Sequence, residues 1–116
     1  MVADDDIVCY KVLRLNRENN HFYTPFRNTL VPYAVLEGKR DFVADGIVEF
    51  SASHGFFTVR MGAIHVYTER EVAMKHIGPD ETVRKCVIPK GTEFVFGYDD
   101  FNCCGFAAKK IKFIKE

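Results

Sequence analysis

The chain has 116 residues, which is the size of one domain. Hydrophobic residues at 47% and charged residues at 28% are an ordinary globular mixture and exclude wholesale disorder. Sixteen basic residues cancel sixteen acidic ones, which excludes a broad electrostatic footprint for nucleic acid or an anionic membrane but leaves room for a local patch. No apolar run approaches the ~18 residues that a membrane-spanning helix needs. The opening Met1-Val2-Ala3-Asp4-Asp5-Asp6 is acidic and lacks the charged-then-apolar pattern of a secretion signal. The expectation is a single globular domain over residues 1–116, cytoplasmic, with residues 1–6 flexible.

Residues 7 to 15 form the first expected strand, and Asn16-Arg17-Glu18-Asn19-Asn20 supplies turn chemistry, because asparagine tolerates the left-handed region. His21 to Arg27 returns as the partner strand, placed on an edge by Pro25, which has no ladder donor. Residues 29 to 36 are apolar but hold Pro32, and they read as irregular with some strand. Residues 41–44 and 47–50 flank Asp45-Gly46 as a hairpin. Residues 56–59 and 63–67 form a second hairpin.

One helix follows, over residues 68–77. Thr68-Glu69-Arg70-Glu71 has the capping-box spacing, in which the Thr68 hydroxyl accepts from the Glu71 backbone N–H and the Glu71 carboxylate accepts from that of Thr68. Val72, Ala73, His76 and Ile77 share a face at helical spacing, and Gly78-Pro79 stops the helix. Such a short helix needs a sheet to pack on. Residues 83–88 and 92–96 are strands joined by Pro89-Lys90-Gly91, read as a type I turn with glycine fourth. Residues 106–114 close the chain as a lysine-bearing edge strand, with a helix as the alternative for Ala-Lys-Lys-Ile-Lys. Together these make an α+β domain: a mostly antiparallel sheet of six to eight short strands with one short helix packed on it.

The candidate chemistry centres on residues 62–71. In a strand, Ile64 and Val66 face one way while His65 and Tyr67 face the other. Glu71 follows in the first helical turn. A histidine, a tyrosine and a carboxylate held together can do acid–base work or grip a polar ligand. The plainer reading is a half-buried histidine, a tyrosine covering the sheet and a capping glutamate. Arg14 and Tyr10 are the ligand-contact candidates, Arg14 as an anion contact. Arg17, Arg27, Lys39 and Arg40 join Arg14 only if their turns converge, and otherwise they solubilise the surface.

No metal site is expected. The four cysteines, Cys9, Cys86, Cys103 and Cys104, include no Cys-x-x-Cys. Cys9 and Cys86 read as small buried hydrophobes, reduced in a cytoplasmic setting. Cys103 and Cys104 are adjacent, so in a strand they point to opposite faces and do not grip one ion. His21 and His54 fall in turns, and His76 lies near the end of the helix. Asp99-Asp100 lacks the ligand count of a calcium loop. Neither glycine-rich phosphate loop nor nucleophile elbow occurs, and no cofactor is expected.

Two resemblances follow from these stretches. Gly62-Ala63-Ile64-His65-Val66-Tyr67 with the helix after it, then Ile88-Pro89-Lys90-Gly91-Thr92, residues 98–102 and residues 106–114, resembles a pattern in small uncharacterised proteins of bacteriophages and prophages. It covers the C-terminal half and implies a phage-like origin without an assigned activity. Val87-Ile88-Pro89-Lys90-Gly91-Thr92-Glu93-Phe94 is similar to the strand-turn-strand after the catalytic glutamates of ADP-ribosyltransferases. Here Lys85 and Val83 stand at the two glutamate positions, and neither can act as the carboxylate. The reading is therefore a binding or interaction protein without catalytic activity. Its partner is a host protein or a small ligand, and self-association through an edge strand is a further expectation. The alternative is a small enzyme that handles a nucleotide-like or ADP-ribosyl substrate through His65, Tyr67 and Glu71.

Overall fold

The computed structural model describes residues 1–25, 28–44, 64–75, 77–98 and 104–115. The expected strands at 47–50 and 56–59, the Asp45-Gly46 turn, His54, His76, Asp99-Asp100, Cys103 and Arg27 lie outside the described residues. So does Ala63.

Among the described residues there are nine strands and two short helices. In chain order these are β1 (Ile7–Asn16), β2 (His21–Tyr23), β3 (Leu30–Val31), α1 (Tyr33–Leu36), β4 (Phe42–Val43), β5 (Ile64–Tyr67), α2 (Arg70–Met74), β6 (Glu81–Ile88), β7 (Phe94–Tyr98), β8 (Cys104–Ala108) and β9 (Lys110–Phe113). All pairings are antiparallel, and the main path across the sheet is β4-β9-β6-β1-β5-β8-β7, with β2 and β3 branching from the far end of β1. This is the expected mostly antiparallel α+β class, with one strand more than the upper expectation and a second helix.

The longest ladder joins β1 to β6, from Ile7↔Ile88 to Arg14↔Glu81. The opposite edge of β1 is shared: it meets β5 at Tyr10↔Tyr67 and β2 from Arg14↔Tyr23 onward. The Asn16–Asn20 turn forms as expected. Asn20 takes φ 60°, and its N–H donates to the Asn16 carbonyl over 2.7 Å.

Alternation sorts the side chains into two layers. The inner face gathers Cys9, Leu13, Ile64, Val66, Cys86, Ile88, Phe94, Ile111 and Phe113 into one large core, which Val31, Val35 and Leu36 cap. The outer face carries a smaller cluster, Val12, Val83 and Ala73, with Tyr10, Tyr67 and Ile77 packed on it. Ala73 of α2 is fully buried there, so this helix covers the outer face.

Several local expectations are corrected. β2 is an inner strand, flanked by β1 and β3, and Pro25 falls after it, where no ladder donor is required. Residues 32–36 contain α1, because Pro32 sits at the N-cap in extended conformation (φ −63°, ψ 154°), where the missing N–H is no loss. Its carbonyl accepts from Val35 and Leu36.

The helix expected over 68–77 is only Arg70–Met74. Glu69 is its N-cap, at φ −133° and ψ 141°, and no side chain caps it, so the Thr68–Glu71 box does not form. Strand β5 runs to Tyr67, the chain bends at Thr68 and Glu69, and Glu69 itself is in extended conformation, so the helix starts one position too late for Thr68 to be its N-cap. Downstream, the Glu81 carboxylate accepts from the Gly78 N–H over 2.6 Å and Asp80 takes φ 64°, which turns the chain into β6.

The turn before β7 is shifted by one residue. Thr92 N–H donates to the Pro89 carbonyl and Gly91, third in the turn, has φ 87°, the pattern of a type II turn. The final segment is two strands rather than one. They break at Lys109, whose N–H donates to the Glu93 carbonyl and whose ammonium pairs with the Glu93 carboxylate at 3.0 Å. β9 is not an edge, since β4 covers it.

Of the outer strands, β3 and β4 have two residues each, a length that blunts strand addition, whereas β7 at the other end of the path has five. Residues 1–3 of the expected flexible lead run along residues 91–94. Val2 bridges Glu93, Ala3 exchanges bonds with Thr92 and Gly91, and the Met1 carbonyl accepts from Phe94.

Candidate functional site

β5 divides its side chains as the alternation predicts. Ile64 and Val66 are buried in the core, while His65 and Tyr67 are half-buried on the outer face. Tyr67 stands directly opposite Tyr10 across the β1–β5 pair, so the two phenols share one outer surface. His65 lies two residues along, roughly 6.6 Å from Tyr67 by the strand rise. It is opposite Ala107 of β8. Arg70, the first residue of α2, places its guanidinium 5.0 Å from the centroid of the Tyr10 ring. A cation at that distance from a tyrosine face is attracted by the ring quadrupole. The helix arrives there because Ala73, Val12 and Val83 pin it to the sheet. Two tyrosines, a histidine and an arginine therefore occupy neighbouring positions on one side of the sheet.

The other expected residues are Glu71, next to Arg70 in the chain, and Arg14. Glu71 is in the first turn of α2 and exposed, clear of the buried Ala73 side of the helix. Arg14 shares the outer face but lies four residues from Tyr10, about 13 Å along β1. There it donates to the Asn28 side chain at the β2 end of the sheet. Arg17 pairs with Asp80 and Lys39 with Glu37, so these basic residues are engaged locally rather than gathered around Arg14. Among the described residues no three His, Cys, Asp or Glu side chains come together in a way that would hold a metal ion.

One residue goes unremarked in the sequence reading. Lys11 lies on the inner face of β1, between Cys9 and Leu13, and is only 6% exposed. Its Nζ donates to the His65 carbonyl over 2.9 Å. This bond sits where the edge of β1 passes from β5 to β2, so the ammonium ties together strands that the backbone ladder leaves diverging. Burial pushes the Lys11 amine down to about 8, against a smaller opposing pull from Cys86 and Cys9. The sequence signal was present: Cys9, Lys11 and Leu13 share one alternation phase, so a lysine in an apolar strand falls on the face that goes inward.

Cys9 and Cys86 form the other inner-face feature. They are cross-strand partners with no exposure, and their sulfurs lie 3.4 Å apart. Burial as small hydrophobes is as expected, but their direct opposition required the β1–β6 register.

No family model, curated protein or solved structure matches the chain.

Proposed function

We propose that this chain is a binding domain, without catalytic activity of its own, that engages a protein partner or a small ligand through the outer face of β1, β5 and α2. The observation that carries this reading is the placement of Arg70 over Tyr10, with Tyr67 directly opposite Tyr10 and His65 beside it. Half-exposed tyrosines offer rigid area at low entropic cost, and arginine and tyrosine are the residues on which binding energy concentrates. Cationic and aromatic groups side by side suit a planar anionic group, whether on a small molecule or on a protein surface. The resemblance to bacteriophage proteins makes a host-cell protein the first partner to seek.

The test is a thermal-shift panel of nucleotides and aromatic carboxylates, run together with pull-downs, comparing the natural chain with Arg70→Ala. A ligand that binds the folded state raises the melting temperature by mass action. The expected result is a stabilising compound or captured protein whose effect falls at least tenfold in affinity in Arg70→Ala. An inert chain in both assays, or binding indifferent to Arg70, contradicts the proposal. Turnover of a nucleotide that is lost in His65→Ala would replace it with the enzymatic reading.

A further inference from the structure

Cys9 and Cys86 face each other within the longest ladder among the described residues, as the third pair from its Ile7↔Ile88 end, on the inner face, with sulfurs 3.4 Å apart. Directly opposed residues of an antiparallel pair hold their Cα atoms at ~4.5 or ~5.5 Å. Both separations fall within the ~4.4–6.8 Å that a disulfide accepts. Thus the backbone already supplies the spacing, and closing the sulfurs to ~2.05 Å requires side-chain rotation rather than a change of register.

We infer that Cys9 and Cys86 are a reversible thiol–disulfide pair, a modification site across β1 and β6 that a water-sized oxidant such as hydrogen peroxide converts to the bonded form. In that step one sulfur, as thiolate, attacks a peroxide oxygen; the O–O bond breaks, a sulfenic acid forms and the first water leaves. The second sulfur attacks the sulfenic sulfur, the S–S bond forms and the second water leaves. The two thiols together give up two electrons and two protons, and the peroxide takes both.

The surroundings set the rate. The hydrogen bond with Cys9 and burial hold the Cys86 thiol well above its ordinary range, opposed by the Lys11 ammonium and the Arg84 guanidinium. Thiolate is the reactive species, so attack by the Cys86 sulfur is slow at neutral pH and faster as pH rises. Bulky disulfide reagents do not reach sulfurs with no exposure. The bonded form would tie β1 to β6 at residues separated by 77 positions in the chain, where a cross-link restricts the unfolded state strongly.

The experiment is hydrogen peroxide treatment of the full folded chain, followed by alkylation in denaturant and mapping of unreduced peptides by mass spectrometry. Cys103 and Cys104 serve as internal competitors. The expected product is a Cys9 peptide joined to a Cys86 peptide, released by dithiothreitol and absent from Cys86→Ser. Recovery of both peptides carrying the alkyl label, their joining to Cys103 or Cys104 instead, or irreversible oxidation of either sulfur would overturn the inference. The map of the natural chain decides the matter even if Cys86→Ser does not fold.

Discussion

Lys11 turns an amine into the core side of the sheet, and the consequence is a defined pH dependence. Below about pH 8 the amine is charged in the folded and the unfolded chain alike, and the fold bears the full penalty of burying that charge. Between about 8 and the ordinary 10.5 the unfolded chain keeps the proton while the folded chain has lost it, so stability rises with pH through this window. The difference corresponds to about 3 kcal/mol. Lys11→Met should therefore be more stable than the natural chain at pH 7, by about 1–3 kcal/mol after loss of the bond to the His65 carbonyl. Urea denaturation of both chains from pH 7 to 10.5 checks this: the gap should narrow as pH rises, and a constant gap would show that the amine does not titrate on folding.

Residue-level alternation was readable where apolar and polar side chains strictly exchange, as in Ile64-His65-Val66-Tyr67. It was readable at Lys11 as well, but an aliphatic stem with a charged tip reads by habit as solvent-facing. The spacing of Arg14 from Tyr10 was readable, since both lie on β1, but its Asn28 partner was not, because that contact depends on how the chain returns through β2; the place of Glu71 depends likewise on where α2 docks.

Among the elements, two glycines separate backbone strain from crowding. Gly38 follows α1 with φ 76°, and a Cβ there would meet the Phe113 carbonyl oxygen at 2.8 Å. Gly91 has φ 87° with open space around it. Gly91→Ala should cost about 1 kcal/mol, for the left-handed backbone alone. Gly38→Ala carries the same strain and must also displace a backbone carbonyl, so it should cost at least about 1 kcal/mol more. Equal melting temperatures for the two variants would contradict this. The turn residues that expose these positions are plain in the sequence, whereas turn type was not: Pro89-Lys90-Gly91 is compatible with either register until the chain on both sides is paired. Helix ends failed for a related reason. Thr68 and Glu71 have ideal capping spacing, yet β5 runs to Tyr67 and the bend after it makes Glu69 the N-cap, so tertiary pairing outweighs a local cap of about 1 kcal/mol. α1 was hidden by reading Pro32 as a breaker when it is a starter.

At the level of the whole molecule, the inner layer joins segments from both ends of the chain. Phe113 is fully buried between β6 and α1, with the Arg84 guanidinium 5.8 Å from its ring centroid. Phe113→Ala should cost about 3–5 kcal/mol, measured by urea denaturation. A loss below about 1 kcal/mol would mean that the C-terminal strand is not part of the core. Fold class was legible from short strands, frequent turns and too few helical segments for parallel crossovers. Strand order was not, since β1 pairs with β5 and β6 across more than fifty residues and nothing local records that choice. The candidate face shares this limit: Tyr67 and His65 were found from their own strand, while Tyr10 and Arg70 join them only through the pairing of β1 and the docking of α2.

The outer face is the centre of the functional account, and resonance mapping tests it most directly. The isotopically labelled chain would be titrated with a pool of nucleotides and aromatic carboxylates. The account predicts that the resonances which move are those of Tyr10, His65, Tyr67 and Arg70. Shifts confined to the Arg14 and Asn28 end of the sheet, or no shifts at millimolar ligand, would contradict it.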